Sequence, residues 1–203
     1  MAAWITKKIS QFAKVVSGAT PSTSKSEYWN GNIVWITPND LSKTNTPFIQ
    51  DSERKISELG LQNCSAQIIP GGNLVISYRA PIGYLAIVNS DFTTNQGCKS
   101  IVFNSEHCPL FHYYNFLFRI NEFKKMGEGT TFAEISKKEI EKLEFTFPES
   151  LEEQTLIANF FLTLDESLLK SEEQFSKLLR IKNGAMQDIL TGRLRVDKLL
   201  KSA

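Results

Sequence analysis

The stretch 150–190 reads SLEEQTLIANFFLTLDESLLKSEEQFSKLLRIKNGAMQDIL, with no proline and a single glycine, Gly184. Ile157, Phe161, Leu164, Leu168, Ser171, Phe175, Leu178, Lys182, Ala185 and Ile189 follow one another in alternating steps of four and three. That spacing draws one stripe along a helix and is the seam pattern of a coiled coil. Only Ser171 and Lys182 interrupt the apolar run. Ser150 with Glu153 has capping-box spacing: the hydroxyl accepts from the third helical amide, and the carboxylate reaches back to the cap amide. Thr163 with Glu166 repeats it. Two helices are therefore expected, a short one over 151–162 and a long one over 164–190, the latter about 40 Å long at 1.5 Å per residue. Glu166–Lys170 and Glu173–Lys177 support the long one as i,i+4 pairs. Thr191-Gly192 ends it, with Gly192 in a left-handed cap.

A narrow apolar seam on so long a helix must be covered. It either folds back on its own domain or pairs with a long helix of another chain. The rest of the sequence offers no second helix of comparable length. Polar seam positions such as Ser171 and Lys182 set register and partner, which favours pairing. Gly184, beside a seam residue, lets a partner backbone approach closely.

Upstream of this stretch the pattern changes. Residues 18–32, GATPSTSKSEYWNGN, form a loop rich in Gly, Pro, Ser, Thr and Asn. Tyr28 and Trp29 inside it imply that it is packed down or binds something. Short strands are expected at 14–17, 33–36, 48–49, 54–56, 67–69, 73–77, 83–88 and 99–103, with 67–69 and 73–77 joined by a tight turn at Pro70-Gly71-Gly72. A turn is expected at Thr37-Pro38-Asn39-Asp40. Pro109 to Lys125 reads as one amphipathic helix opened by proline. Ser136 with Glu139 is a third capping box, one helical turn before a strand at 143–147. The chain thus divides into a domain of many short strands over 1–148 and a helical region over 149–203.

The totals narrow the function. Net charge is +1, so any nucleic-acid contact must come from local clusters. Glu149, Glu152 and Glu153 need no functional explanation at a helix start, where the macrodipole favours them. No run of apolar residues is long enough to span a membrane, and the start MAAWITKKISQF lacks the apolar core of a signal peptide. Three cysteines without C-x-x-C spacing fit a reduced, cytoplasmic protein better than a disulfide framework or a zinc site. His107 and His112 have no metal-ligand spacing. Phosphate-binding glycine motifs, a methyltransferase core and a serine-nucleophile elbow are all missing. No catalytic residue and no metal ligand are expected.

What remains is hydroxyls, amides and single bases on loops: Thr20, Ser22, Thr23 and Lys25, then Thr37, Asn39 and Lys43, then Arg79, Asn95, Gln96 and Lys99, and finally Thr130 and Thr131. Such side chains on a β scaffold are those that contact phosphates and base edges. Trp29 and Tyr78 read as core or as stacking platforms, with core favoured. A coiled-coil adaptor that binds protein rather than DNA is the alternative reading.

Longer segments resemble one family. GATPSTSKSEYWNGNIVWITPNDL (18–41) is similar to the opening of the target recognition domains of type I restriction–modification specificity subunits, with Ala19 and Val34 where the family has glycine and proline. APIGYLAIVNSDFTTNQGCKSI (80–101) resembles its I-G-x-x-A and T-N-Q-G-x-K segments. Residues 129–168 resemble its domain exit, with a P-x-x-x-x-E-Q helix and an L-D-E, and TGRLRV (191–196) its usual end. Members commonly carry two recognition domains and two long helices; this sequence has one of each and looks like a half subunit.

The resemblance implies an α+β chain: a mixed α/β recognition domain of short strands, followed by a long coiled-coil-type helix. It implies double-stranded DNA as ligand, with one half-site read per chain. It also implies docked methyltransferase subunits, a restriction motor subunit that joins them, and no cofactor on this chain, S-adenosylmethionine and ATP with Mg²⁺ belonging to partner subunits. On residue chemistry, DNA contacts are expected at Thr20, Ser22, Thr23, Lys25, Lys43, Arg79, Lys99, Thr130 and Thr131. Contacts of an antiparallel homodimer are expected at Leu164, Leu168, Phe175, Leu178, Ala185 and Ile189.

Overall fold

A computed structural model describes residues 3–79, 81–128 and 134–198. In chain order the elements are β1 Trp4–Lys8, α1 Ile9–Phe12, β2 Ala13–Ser17, β3 Trp29–Ile36, α2 Pro38–Ser42, β4 Phe48–Ile49, β5 Lys55–Ile56 and α3 Glu58–Gln62. They continue with β6 Asn73–Ser77, β7 Leu85–Val88, β8 Phe92–Thr94, β9 Cys98–Phe103, α4 Pro109–Phe118, α5 Ile120–Glu128, α6 Lys137–Lys142, β10 Glu144–Pro148 and α7 Leu151–Leu190. Single 3₁₀ turns lie at Ser26–Tyr28 and Val196–Lys198. This is the α+β architecture expected, many short strands and then a long helix.

The central layer is a five-stranded sheet in the order β2-β9-β6-β7-β4. Its pleat sends successive side chains to opposite faces. Val15, Leu74, Ile76, Leu85, Ile87 and Ile101 fill one core with Phe12, Phe116, Phe123, Ile140, Phe145 and Phe147. Val16, Val75, Ala86 and Val88 fill a second with Val34, Ile36, Leu41 and Phe92. Both faces are covered, so β6 and β7 read as continuous apolar runs without alternation. The two-stranded sheet β1-β10 and the helices supply the first cover, and the three-stranded sheet β5-β3-β8 the second.

By its internal contacts the chain forms two units, Met1–Asn159 and Phe160–Ala203. The loop expected over 18–32 ends early, since β3 already begins at Trp29, and Trp29 is buried against Trp35. Four further local expectations differ from the structure. Residues 151–190 form one helix of 40 residues, about 60 Å long, not two parted at Thr163. Nothing between 151 and 183 breaks a helix, and continuing one avoids a second nucleation cost. The ladder runs through the expected cap: Thr163 O accepts from Ser167 Oγ one turn on at 2.8 Å, and Ser167 O from Ser171 Oγ at 2.9 Å. Conversely, the single helix expected over 109–125 breaks at Arg119, which leaves helical geometry at φ −99°, ψ 11°. Its guanidinium is drawn to Glu144 O and to Glu122 Oε2.

Third, Gln67–Ile69 does not pair with 73–77. Ile69 bridges Phe92 of β8 through two backbone bonds of 2.7 and 3.0 Å, and β6 pairs with β7 and β9 instead. Fourth, Thr37–Asp40 is not a simple turn but the start of α2. Thr37 Oγ1 accepts from Asp40 N at 3.3 Å, Asp40 Oδ2 accepts from Thr37 N at 2.9 Å, and Pro38 takes the first helical position. The Ser136–Glu139 box forms as expected, at 3.2 and 2.7 Å. Gly192 has φ +73°, the left-handed cap.

Candidate nucleic-acid interface

Three loops meet at one polar edge of the sheet. The first leaves β2 at Gly18. A side chain there would collide with Thr94 and Asn95, so only glycine lets this loop lie on the turn after β8. Ala19 N donates to Thr94 O at 2.9 Å, and Ala19 O accepts from Trp35 Nε1 at 3.0 Å. Thr20 Oγ1 bonds Gln96 Oε1. The second loop is 95–97. Asn95 N donates to Ile36 O at 2.9 Å, and its side chain accepts from Gly97 N at 2.9 Å, an Asx turn. The third follows β6: Tyr78 N donates to Gly97 O at 3.1 Å, and Tyr78 OH donates to Gln96 O at 2.6 Å.

Beneath these loops lies Lys99. Its ammonium sits 3.5 Å from the centre of the Tyr78 ring and 3.4 Å from Ser17 Oγ. The residue is 4% exposed, and burial takes its pKa down to about 8. Lys99 thus supports these loops from below and presents little of itself to solvent. Arg79 is exposed beside Tyr78; its Nε donates to Glu134 Oε2 at 2.9 Å. Thr20, Arg79 and Lys99 are therefore joined through Tyr78 and Gln96.

The other sequence candidates are placed differently. Ser22, Thr23 and Lys25 are exposed on the 20–25 loop. Ser22 O accepts from Trp29 Nε1 at 3.1 Å, and Lys25 lies 3.7 Å from Glu27. Lys43 caps the end of α2 and pairs with Glu53 at 2.6 Å. The two ionised groups stabilise each other, so Lys43 is raised and Glu53 lowered from their ordinary pKa values. They line an open depression of about 430 Å³ with Asp40, Asp51 and Phe48, apart from the contacts that join Thr20 to Arg79. Thr130 and Thr131 lie outside the described residues. Trp29 and Tyr78 are buried. Trp29 meets Trp35 edge-on at 5.0 Å, with Arg54 3.7 Å from its ring centre, so neither is an open stacking platform.

Gln154 has a place that sequence reasoning missed. Fully buried, it accepts from Cys108 N at 2.9 Å and donates to Pro148 O at 2.9 Å. It ties the start of α7 to the start of α4 and the end of β10. The signal was the P-x-x-x-x-E-Q spacing from Pro148 to Gln154. Glu153, its neighbour, accepts from Trp4 Nε1 at 3.3 Å.

On α7, all the expected dimer contacts are exposed, including Leu164, Leu168, Leu178, Ala185, Ile189 and, at 66%, Phe175. Leu179, Met186 and Leu190 are exposed as well. At 100° per residue these last three widen the stripe on one side, so the apolar face is broader than a seam of single residues.

The model of the type I restriction modification DNA specificity domain matches residues 1–179. The chain belongs to that family. Among curated relatives it is 36% identical to the type I restriction enzyme MjaIX specificity subunit of Methanocaldococcus jannaschii, over 86% of this chain and 41% of the relative. It is 27% identical to the EcoR124I/EcoR124II specificity subunit of Escherichia coli, over 80% of this chain and 42% of the relative. The chain thus spans about two-fifths of the length of these relatives. Among solved structures, the HsdS subunit from Thermoanaerobacter tengcongensis aligns with a TM-score of 0.65 at 17% identity, over 91% of this chain and 44% of that one. A chain from a structure of type I R-M complex assembly aligns with a TM-score of 0.71 at 19% identity, over 91% and 45%. The family expected from the motifs is the one found, and the fold matches.

Proposed function

We propose that this chain is a non-catalytic DNA specificity subunit that reads one half of a two-part recognition sequence. The observation that carries the reading is the meeting of the 18–20, 78–79 and 95–97 loops at one edge. Exposed Gln96 and Arg79 stand there on a rigid, hydrogen-bonded base. A groove-reading surface needs donors and acceptors held in place, and those on well-supported loops lose little entropy on binding. Thr20, Ser22, Thr23, Lys25 and Arg79, with Thr130 and Thr131, make the direct contacts; Lys99 acts from beneath, and Lys43 is a peripheral phosphate contact.

Two copies pair antiparallel through α7, which separates the two reading domains and gives a two-fold assembly suited to an interrupted palindrome. Methyltransferase subunits dock on this assembly and carry S-adenosylmethionine, and a restriction motor subunit brings ATP and Mg²⁺; the complex works in the cytoplasm. Residues 1–148 form the recognition domain and 149–203 the region for pairing and docking.

The test has two parts. Light scattering on the purified chain at micromolar concentration should give twice the monomer mass. Co-purification with a methyltransferase chain, followed by mapping of methylated adenines, should return a bipartite symmetric motif. Methylation by the chain alone would overturn the non-catalytic reading. Absence of salt-sensitive duplex binding would favour a protein-binding adaptor instead.

A further inference from the structure

Arg79 and Glu134 are paired twice. Their backbones form an isolated antiparallel bridge, backed by Ile135 N donating to Tyr78 O at 3.2 Å. Their side chains meet through a single contact, Arg79 Nε to Glu134 Oε2 at 2.9 Å. Tyr78, the residue before, is held by Lys99 on its ring and by Gln96 on its hydroxyl. The base of Arg79 is therefore fixed from both sides, by the Glu134–Ile135 strand and by the contacts of Tyr78.

A guanidinium is a planar fork of five N–H donors. A carboxylate on Nε fixes the plane at its root and leaves the two terminal nitrogens for another acceptor pair. Arg119 shows the contrast: its Nε and Nη2 go to Glu122, and Nη1 to Glu144 O, so its fork is consumed within the fold. A phosphate contact draws chiefly on positive charge, and a carboxylate 2.9 Å away offsets part of it. A base contact gains from a fixed plane. In the major groove the acceptor pair that fits such a fork is O6 and N7 of guanine.

We infer that Arg79 reads a guanine in the recognised half-site through its terminal nitrogens, with Glu134 as the positioning residue that fixes the guanidinium plane. This rests on the DNA-binding reading above. It assigns Arg79 to sequence discrimination rather than to general affinity.

The experiment uses the full chain. Wild-type protein selects its preferred duplex from a randomised library, and every single base-pair change of that duplex is then titrated. One G·C pair should be preferred by about 5- to 150-fold. Arg79→Lys keeps the charge but not the fork. It should reduce the preference at that pair to less than about 3-fold, while the other positions and the salt dependence stay as in wild type. Glu134→Leu should flatten the same pair, Glu134→Gln should retain part of the preference because its amide oxygen still accepts from Nε, and Arg79→Lys/Glu134→Leu should flatten it no further. Thermal unfolding checks each variant, and Arg79→Lys with Glu134→Gln carry the test if Glu134→Leu fails to fold. If Arg79→Lys and the Glu134 variants weaken all duplexes equally, Arg79 contacts phosphate and the inference is wrong. If wild-type protein selects no sequence, the DNA-reading proposal itself falls, a result distinct from a flat profile in the variants.

Discussion

Replacing Phe175 with aspartate puts a charge in the middle of the exposed stripe of α7. Phe175 is 66% exposed. A phenylalanine buries about 200 Å² when fully covered, so covering the exposed part removes about 130 Å² from water. At about 25 cal/mol per Å² this contributes about 3 kcal/mol per copy. A two-fold interface contains the residue twice, so Phe175→Asp should cost about 6 kcal/mol before the desolvation of the carboxylate is counted. At 1.4 kcal/mol per tenfold, the dimer dissociation constant rises by about 10⁴. The assay is light scattering across a concentration series from nanomolar to tens of micromolar. Phe175→Asp should be monomeric throughout, with the melting of the recognition domain unchanged. Glu173→Gln is the control: it lies about 200° around the helix from Phe175 and should leave the dimer intact. A double-length mass that survives Phe175→Asp would show that the stripe is not the interface.

Three further outcomes test the fold beneath the site. His112 is buried among Phe12, Phe103, Phe111 and Phe147, and burial holds its pKa at about 3. Its stability contribution is therefore intact at neutral pH and is eroded as pH falls below about 6.5, by about 2 kcal/mol at pH 5. His107, lowered by burial too, acts in the same direction. His112→Phe should flatten this acid loss in urea titrations at pH 7.5 and 5; an unchanged loss would refute it. Lys99 has a folded pKa of about 8, below its unfolded value, so its charge destabilises the fold below pH 8 and ceases to do so above about 10.5. Lys99→Met should raise stability at pH 7 by about 1–2 kcal/mol, net of the lost cation–π contact, and lower stability instead would contradict the assignment. Gln154→Ala strands Cys108 N and Pro148 O and should cost about 2–4 kcal/mol by chemical denaturation. A change under about 0.5 kcal/mol would mean that the bridge is not needed to seat the start of α7.

The pattern of this fold was largely legible because its signals are local. The apolar run of α7, the Ser136–Glu139 box and the Gly192 cap are set by neighbours within a turn. Two helix breaks were misplaced for the opposite reason. Thr163 has the letters of a cap, but a cap forms only where the preceding residues leave the helix, and nothing makes them leave. Arg119 stops a helix that periodicity would continue because its acceptors include Glu144 O, twenty-five residues away in sequence. At the candidate site, residue chemistry picked Arg79 and Lys99 but could not separate them. Both are single bases near the ends of strands, and only the fold buries one and exposes the other. Glu134 drew no notice, since a lone acid just before a helix cap means nothing until Arg79 is beside it.

The hydrogen bonds that hold the three loops have a consequence for how such a protein changes. The side chains of Asn95 and Asp40 are engaged with backbone amides, and Gly18 and Gly97 are packed against neighbours that leave little room for a side chain. Those residues are spent on architecture and cannot vary freely. Exposed side chains such as those of Ser22 and Thr23 carry little of that burden. On the proposed DNA-reading function, a lineage could therefore exchange the letters read by altering the outward residues while the inward ones keep the chain folded, so that new target sequences arise with small losses of stability.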